Sequence, residues 1–251
     1  LAAAAALCLA ILAGCGTGQN TLSSSDEPGG AEKNVILVVS FGTSYAQTRE
    51  KTIGAIEEDF RSAFPEYTIR RAFTSKMIIK KLRERDGIEV DTVAQALEKL
   101  EAEGYSTVIC QPTHVMGGFE FDDVKREVEN WKSRFDHIAC GWPLLTSSED
   151  YEQVTEALVQ EFSDIPSDAA LVLMGHGTEH PANATYPALD YRLKARGCKN
   201  FFVGTVEGYP DLQTVMQEVA AIHANKVFLA PLMVVAGDHA INDLCGEEED
   251  S

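Results

Sequence analysis

Basic residues are scarce in this chain of 251: 21 lysines and arginines stand against 39 aspartates and glutamates, a formal net charge of −18. A surface field of that sign repels phosphate backbones and favours nearby cations, which argues against nucleic acid as a partner. Long apolar runs are also missing. The stretch from Leu1 to Ala13 is almost wholly apolar, yet it falls short of the about 20 residues that a membrane-spanning helix needs. No Gly-x-x-x-x-Gly-Lys-Ser/Thr loop is present to cradle a nucleotide, and no Gly-x-Ser-x-Gly elbow to present an acyl-transfer serine. The cysteines show neither a Cys-x-x-Cys pair nor zinc-type spacing, so Cys110, Cys140, Cys198 and Cys245 read as small buried hydrophobes or an incidental disulfide.

What is present begins with an export pattern. The apolar opening has the length of a signal-peptide core, and Leu12-Ala13-Gly14-Cys15 matches a bacterial lipobox, in which the cysteine is lipid-modified and the signal is cut just before it. Residues 1–14 are therefore expected to be a signal peptide and Cys15 the lipidation site, giving a periplasmic protein anchored to a bacterial membrane. Neither an initiator Met nor a basic n-region precedes Leu1, so the start of the signal is expected upstream of it. Residues 15–34, with Ser23-Ser24-Ser25 and Pro28-Gly29-Gly30, have the composition of a flexible tether.

From Val35 onward, short β-branched runs alternate with helical patterns, the arrangement that yields parallel sheets with crossover helices. Strands are expected at Val35–Ser40, Thr68–Ala72, Thr107–Gln111, His137–Gly141, Ala170–Met174, Asn200–Gly204 and Lys226–Pro231. Asp91-Thr92 followed by Val93, Ala96, Leu97 and Leu100 reads as a capped helix stopping at Gly104. Similar stripes run over Phe121–Phe135, Tyr151–Phe162, Tyr186–Arg196 and Leu212–His223.

The two halves echo one another. Val38-Val39-Ser40-Phe41-Gly42-Thr43 resembles Leu173-Met174-Gly175-His176-Gly177-Thr178, and Pro112–Asp123 lies against Pro231–Asn242 without a gap, pairing Gly118 with Gly237 and Glu120 with His239. This predicts an α/β fold of two similar lobes, 35–145 and 146–251, each a mainly parallel sheet flanked by helices. Ligands in such sheets bind outside the carboxyl ends of strands, so the cleft between the lobes is the place for chemistry.

His176, between two glycines just after an apolar run, sits where a tight turn leaves room for a ligand. Glu207 and His239 each follow a strand in the same way. Two imidazoles and a carboxylate at successive strand ends suit a borderline divalent metal, and three protein ligands leave a coordination position open. Glu120 follows another strand end and faces the same cleft, whereas Asp122 and Asp123 read as acids starting a helix. For His114, cleft lining and buried packing are both open. His137, His180 and His223 are read as non-functional. Gly175-His176-Gly177-Thr178 has the look of a phosphohistidine motif but lacks the preceding arginine.

Val38-Val39-Ser40-Phe41-Gly42-Thr43-Ser44, Arg71-Ala72-Phe73-Thr74-Ser75, Met77-Ile78-Ile79, Arg85-Asp86-Gly87-Ile88, Met174-Gly175-His176-Gly177, Val206-Glu207-Gly208-Tyr209-Pro210, Pro231-Leu232-Met233 and Ala236-Gly237-Asp238-His239-Ala240-Ile241-Asn242-Asp243 are the informative motifs. Through them the chain resembles the anaerobic sirohydrochlorin cobaltochelatases from about Val35 to its end. The resemblance implies a class II chelatase fold, His176, Glu207 and His239 as metal-site residues, and Glu120 as the acidic cleft residue. It implies ATP-independent insertion of Co²⁺ into sirohydrochlorin, with Fe²⁺ or Ni²⁺ as other candidate metals, and release of two protons to Glu120 and an imidazole. It also leads to the expectation of a homo-oligomer and of a last strand and helix beyond Glu247-Glu248-Glu249-Asp250-Ser251. The lipobox departs from the cytoplasmic members and resembles periplasmic relatives, some of which bind haem between subunits; His114 is the candidate haem ligand. Export also motivates a rival reading, a periplasmic metal or tetrapyrrole binding and delivery protein without turnover.

Overall fold

The computed structural model describes residues 33–235. Cys15, His239 and Cys245 lie outside the described residues.

The first lobe runs β1 (Asn34–Ser40), α1 (Ala46–Arg49, a π turn at Glu50–Gly54, then Ala55–Ala63), β2 (Thr68–Phe73), α2 (Lys76–Lys81 with a π turn at Leu82–Asp86), α3 (Val93–Ala102), β3 (Thr107–Pro112), α4 (Phe119–Trp131) and β4 (His137–Cys140). The second runs α5 (Ser148–Glu161), β5 (Ala169–Gly175), a 3₁₀ turn at Pro181–Ala184, α6 (Thr185–Ala195), β6 (Phe201–Thr205), α7 (Leu212–Ala221) and β7 (Lys226–Pro231). All seven expected strands are present. The sheets have the orders β2-β1-β3-β4 and β6-β5-β7, every pairing parallel. The internal echo is thus also topological: β1 and β5 are the equivalent central strands, each between the next strand and the one after it.

Central strands feed two cores because side chains alternate across a sheet. Val35, Leu37 and Val39 of β1 pack with α3 and α4, while Ile36 and Val38 pack with Ile56 of α1. In β5, Leu171 and Leu173 pack with α5 and α6, while Val172 and Met174 pack with Val215 and Val219 of α7. Helices on both faces explain why all seven residues of β5 are buried, as continuous apolar runs in parallel sheets usually are.

The helix over Val93–Ala102 begins as its sequence predicts: the Thr92 hydroxyl accepts from Gln95 N–H and the Gln95 side chain accepts from Thr92 N–H, a reciprocal cap. α1 and α2 carry no clean sequence stripe for a physical reason. Each contains a π turn, which shifts the phase of the apolar face, and the inner face of α1 also buries Glu57. Glu57 is buried because Arg71 of β2 grips it with Nε to Oε1 at 2.5 Å and Nη2 to Oε2 at 2.7 Å.

The lobes interlock. Leu144 and Leu145 N–H donate to the carbonyls of His114 and Val115, both at 2.9 Å. Val115 and Met116, which follow β3, pack into the second lobe's core with Leu144, Tyr186 and Leu232. Val234 and Val235, which follow β7, pack instead against Ile36, Val38 and Ile56 and against Ile53, Phe73 and Leu82 in the first lobe. The gapless echo pairs Val115 with Val234 and Met116 with Val235, so equivalent arms are exchanged.

Candidate functional site

The site is built where β5 and β6 end. Gly175 closes β5 so near Tyr186 that an added Cβ would lie 2.1 Å from its Cε1, which leaves no room for a larger residue before His176. Gly177 has φ +83°, and a Cβ there would lie 2.5 Å from the Gly208 nitrogen and 2.9 Å from the Glu207 carbonyl carbon. Only glycine takes that backbone conformation without strain while letting two loops touch. The loops are then joined by Glu207 N–H donating to His176 O at 2.7 Å.

Two of the three expected ligands are thereby brought together. His176 Nδ1 lies 3.9 Å from Glu207 Oε2, with the side chains 47% and 57% exposed. His176 Nδ1 is also 2.9 Å from the Gly177 carbonyl. A carbonyl only accepts, so in this contact Nδ1 carries the proton and the lone pair of a neutral ring lies on Nε2, the atom a metal would use. Among the described residues no group of three or more His, Cys, Asp or Glu side chains is placed to hold a metal. The expected third ligand, His239, lies outside them. Its approach is set in part: Leu232 N–H donates to Met174 O at 2.7 Å, so the chain leaves β7 beside the end of β5 that presents His176.

Residues that support this edge went unnoticed in the sequence. Asn183 accepts from Thr178 N–H at 3.1 Å and donates to the Tyr209 carbonyl at 2.6 Å, linking the loop after β5 to the loop after β6. The buried Tyr186 hydroxyl accepts from Gly177 N–H at 3.4 Å, and burial pushes its phenol pKa up. The available signal was Gly208, where a Cβ would lie 2.4 Å from Asn183 Oδ1.

Glu120 lies on the opposite wall. α4 starts two residues earlier than its stripe suggested, so Glu120 is in the first helical turn, exposed, with Asp122 beyond it. The helix end touches the loop that carries His176. His180, four residues along that loop, lies edge-on to Phe119 with ring centroids 4.8 Å apart, and its Nε2 is 3.4 Å from Asp122 Oδ2. Asp122 is held below the usual carboxylate range first by its hydrogen bond to Lys125 and also by His180. Asp123 pairs with Arg126 at 2.8 Å. Both aspartates thus act as first-turn acids, while His180, read as non-functional, joins the lobes.

His114 faces Glu120 from the loop after β3. The residue keeps some exposure, but both ring nitrogens are buried and no protein group bonds to either. Burial lowers its pKa to about 4, with the Glu120 charge pulling it upward. Both open alternatives therefore hold in part: the ring is buried, and it stands beside the cleft acid. Nitrogens so enclosed do not present themselves to a group the size of haem, so the structure lends the haem assignment no support. The cysteines remain free among the described residues; burial raises Cys110 and Cys198, and lifts Cys140 to about 11.

Comparison with known proteins gives the same direction. The family model described as cobalt chelatase (CbiK) matches residues 34–251. A sirohydrochlorin cobaltochelatase of Salmonella typhimurium is 44% identical over 219 residues, 87% of this chain and 83% of that protein. The sirohydrochlorin cobaltochelatase CbiKC of Nitratidesulfovibrio vulgaris is 34% identical over 222 residues, 87% and 78% of the two chains. The solved structure of SirB from Bacillus subtilis with Fe³⁺ superposes with a TM-score of 0.50 at 15% identity, covering 84% of this chain and 92% of that one, a likeness of fold alone. With a family model spanning most of its length and relatives at these identities, the chain belongs to the CbiK cobalt chelatase family.

Proposed function

We propose that this chain is a sirohydrochlorin cobaltochelatase that inserts Co²⁺ into the tetrapyrrole without ATP. The observation that carries the reading is the His176–Glu207 pair, 3.9 Å apart at the carboxyl edge of a parallel sheet, in a chain 44% identical to a protein of that activity. Insertion exchanges one ligand set for four ring nitrogens and removes two N–H protons. In our reading His176, Glu207 and His239 hold the substrate metal through an incomplete shell, and Glu120 accepts a proton across the cleft. Neutral imidazole is the ligating form, so the reaction requires the histidines deprotonated.

Multiple-turnover insertion of Co²⁺ into sirohydrochlorin, followed by absorbance, tests the reading beside His176→Ala and His239→Ala. Turnover that collapses in both variants supports it. Stoichiometric binding without turnover favours the delivery protein that the export pattern suggests. Competition with Fe²⁺ and Ni²⁺ in the same assay addresses the choice of metal. Anchoring through Cys15 in the periplasm is a separate proposal, resting on the lipobox alone. Loss of membrane association on Cys15→Ser is the expected result, and an unchanged distribution contradicts it. Self-association, also proposed, is read by sedimentation.

A further inference from the structure

His114 is the only described residue with two buried side-chain polar atoms that no protein group satisfies. An unmade hydrogen bond in a buried place is costly, and a leucine or glutamine would avoid part of that cost. The ring also cannot be dismissed as remote. Its own carbonyl is fixed at the lobe junction by Leu144 N–H at 2.9 Å, and the charge it senses most is that of Glu120, in the first turn of α4. Buried groups kept unpaired at a cleft wall have a use in another state of the site.

We propose that His114 is the second proton acceptor of the site, taking on from Glu120 the proton that Glu120 removes from a ring nitrogen of the tetrapyrrole. The inference rests on the chelatase reading. The balance is simple. A pyrrole N–H bond breaks and a carboxyl O–H forms as the metal engages the ring nitrogen; that O–H then breaks as an imidazole N–H forms, which restores the Glu120 carboxylate for the second proton. The imidazolium gives its proton to water when the product leaves and the cleft reopens. No electron is transferred. His114 does not touch the macrocycle: it acts through Glu120, as a positioning residue that also receives its proton.

The test uses the full chain and four variants, His114→Leu, His114→Gln, Glu120→Gln and the double variant His114→Leu/Glu120→Gln, each measured for Co²⁺ insertion and thermal midpoint. A relay predicts that His114→Leu keeps or raises Tm, by roughly 2 to 8 °C, because an unsatisfied polar group is removed. It also predicts a fall in kcat of about 100-fold with KM for the tetrapyrrole little changed. His114→Gln, which can hydrogen-bond but not carry a proton, should fall equally. In the Glu120→Gln background His114→Leu should cost nothing more. A lower Tm with a proportionate loss of activity marks a structural histidine and overturns the proposal. So does parental kcat in either His114 variant, or a full additive loss in the double variant. A parent that never turns over would overturn the chelatase reading and this one with it, whereas a turning-over parent matched by His114→Leu overturns only this one.

Discussion

Replacing Gly177 with alanine tests whether two touching loops make the metal edge. The backbone at Gly177 has φ +83°, a left-handed conformation that costs an alanine about 1 to 2 kcal/mol. The added methyl would also stand 2.5 Å from the Gly208 nitrogen, where ordinary contact begins at 3.4 Å. Its neighbours there are backbone atoms, which cannot rotate aside as a flexible side chain would. The loop carrying Glu207 must therefore move by about 1 Å, and a misplacement of that size costs on the order of 100-fold in rate. The hydrogen bond from Glu207 N–H to His176 O, 2.7 Å long, lies in the path of that movement. The expected result is a Tm lowered by roughly 2 to 8 °C, with Co²⁺ insertion down about 100-fold and weaker Co²⁺ binding in equilibrium dialysis. Gly87, also at positive φ but with nothing within 4 Å of an added Cβ, is the control: Gly87→Ala should carry the conformational cost alone and keep its rate. Parental turnover in Gly177→Ala would refute the claim that close loop contact positions the pair.

Arg71→Met strands the buried Glu57 carboxylate and should cost about 3 to 5 kcal/mol, toward the lower end because Arg61 lies 3.6 Å from the same group; a urea-melt loss under about 1 kcal/mol contradicts this, and Glu57→Met on top should recover most of it. Stability should fall as pH drops from about 6.5 to 4, since His114 protonates at about 4 when folded but near 6.5 when unfolded, so the unfolded chain binds the extra proton across that window. Its share is on the order of 3 kcal/mol, and His114→Leu should flatten the pH dependence of Tm there by that amount; an unchanged slope removes the assignment. Tyr186→Phe deletes the acceptor for Gly177 N–H and should lower stability by about 1 kcal/mol, more if the orphaned N–H stays dry, with unfolding by circular dichroism as the check.

The strands were legible because a parallel strand buried on both faces is a run of β-branched and aliphatic residues, as in Ala170 to Met174. His176 and Glu207 were legible through their glycines, whose need for close backbone approach is local. α1 and α2 were not, since a π turn in each displaces the apolar phase and Glu57 looks exposed until Arg71 is found 14 residues away. Asn183 and Tyr186 escaped for a related reason: their partners at Tyr209 and Gly177 lie in other loops, and no period connects them. The double orphaning of His114 is a tertiary fact, invisible in the pattern Pro112-Thr113-His114.

The exchanged arms have a thermodynamic consequence. Val115 and Met116 complete one hydrophobic core while belonging to the other lobe, and Val234 and Val235 return the arrangement. Unfolding either half therefore strips residues out of the half that remains, which penalises every partly melted species. Such a molecule should melt in one transition with calorimetric and van't Hoff enthalpies in agreement, and neither half expressed by itself should reach a native-like state. The clasp also caps how far the cleft can gape: a larger opening would have to draw valines out into water, so tetrapyrrole exchange is confined to small excursions that leave the arms seated.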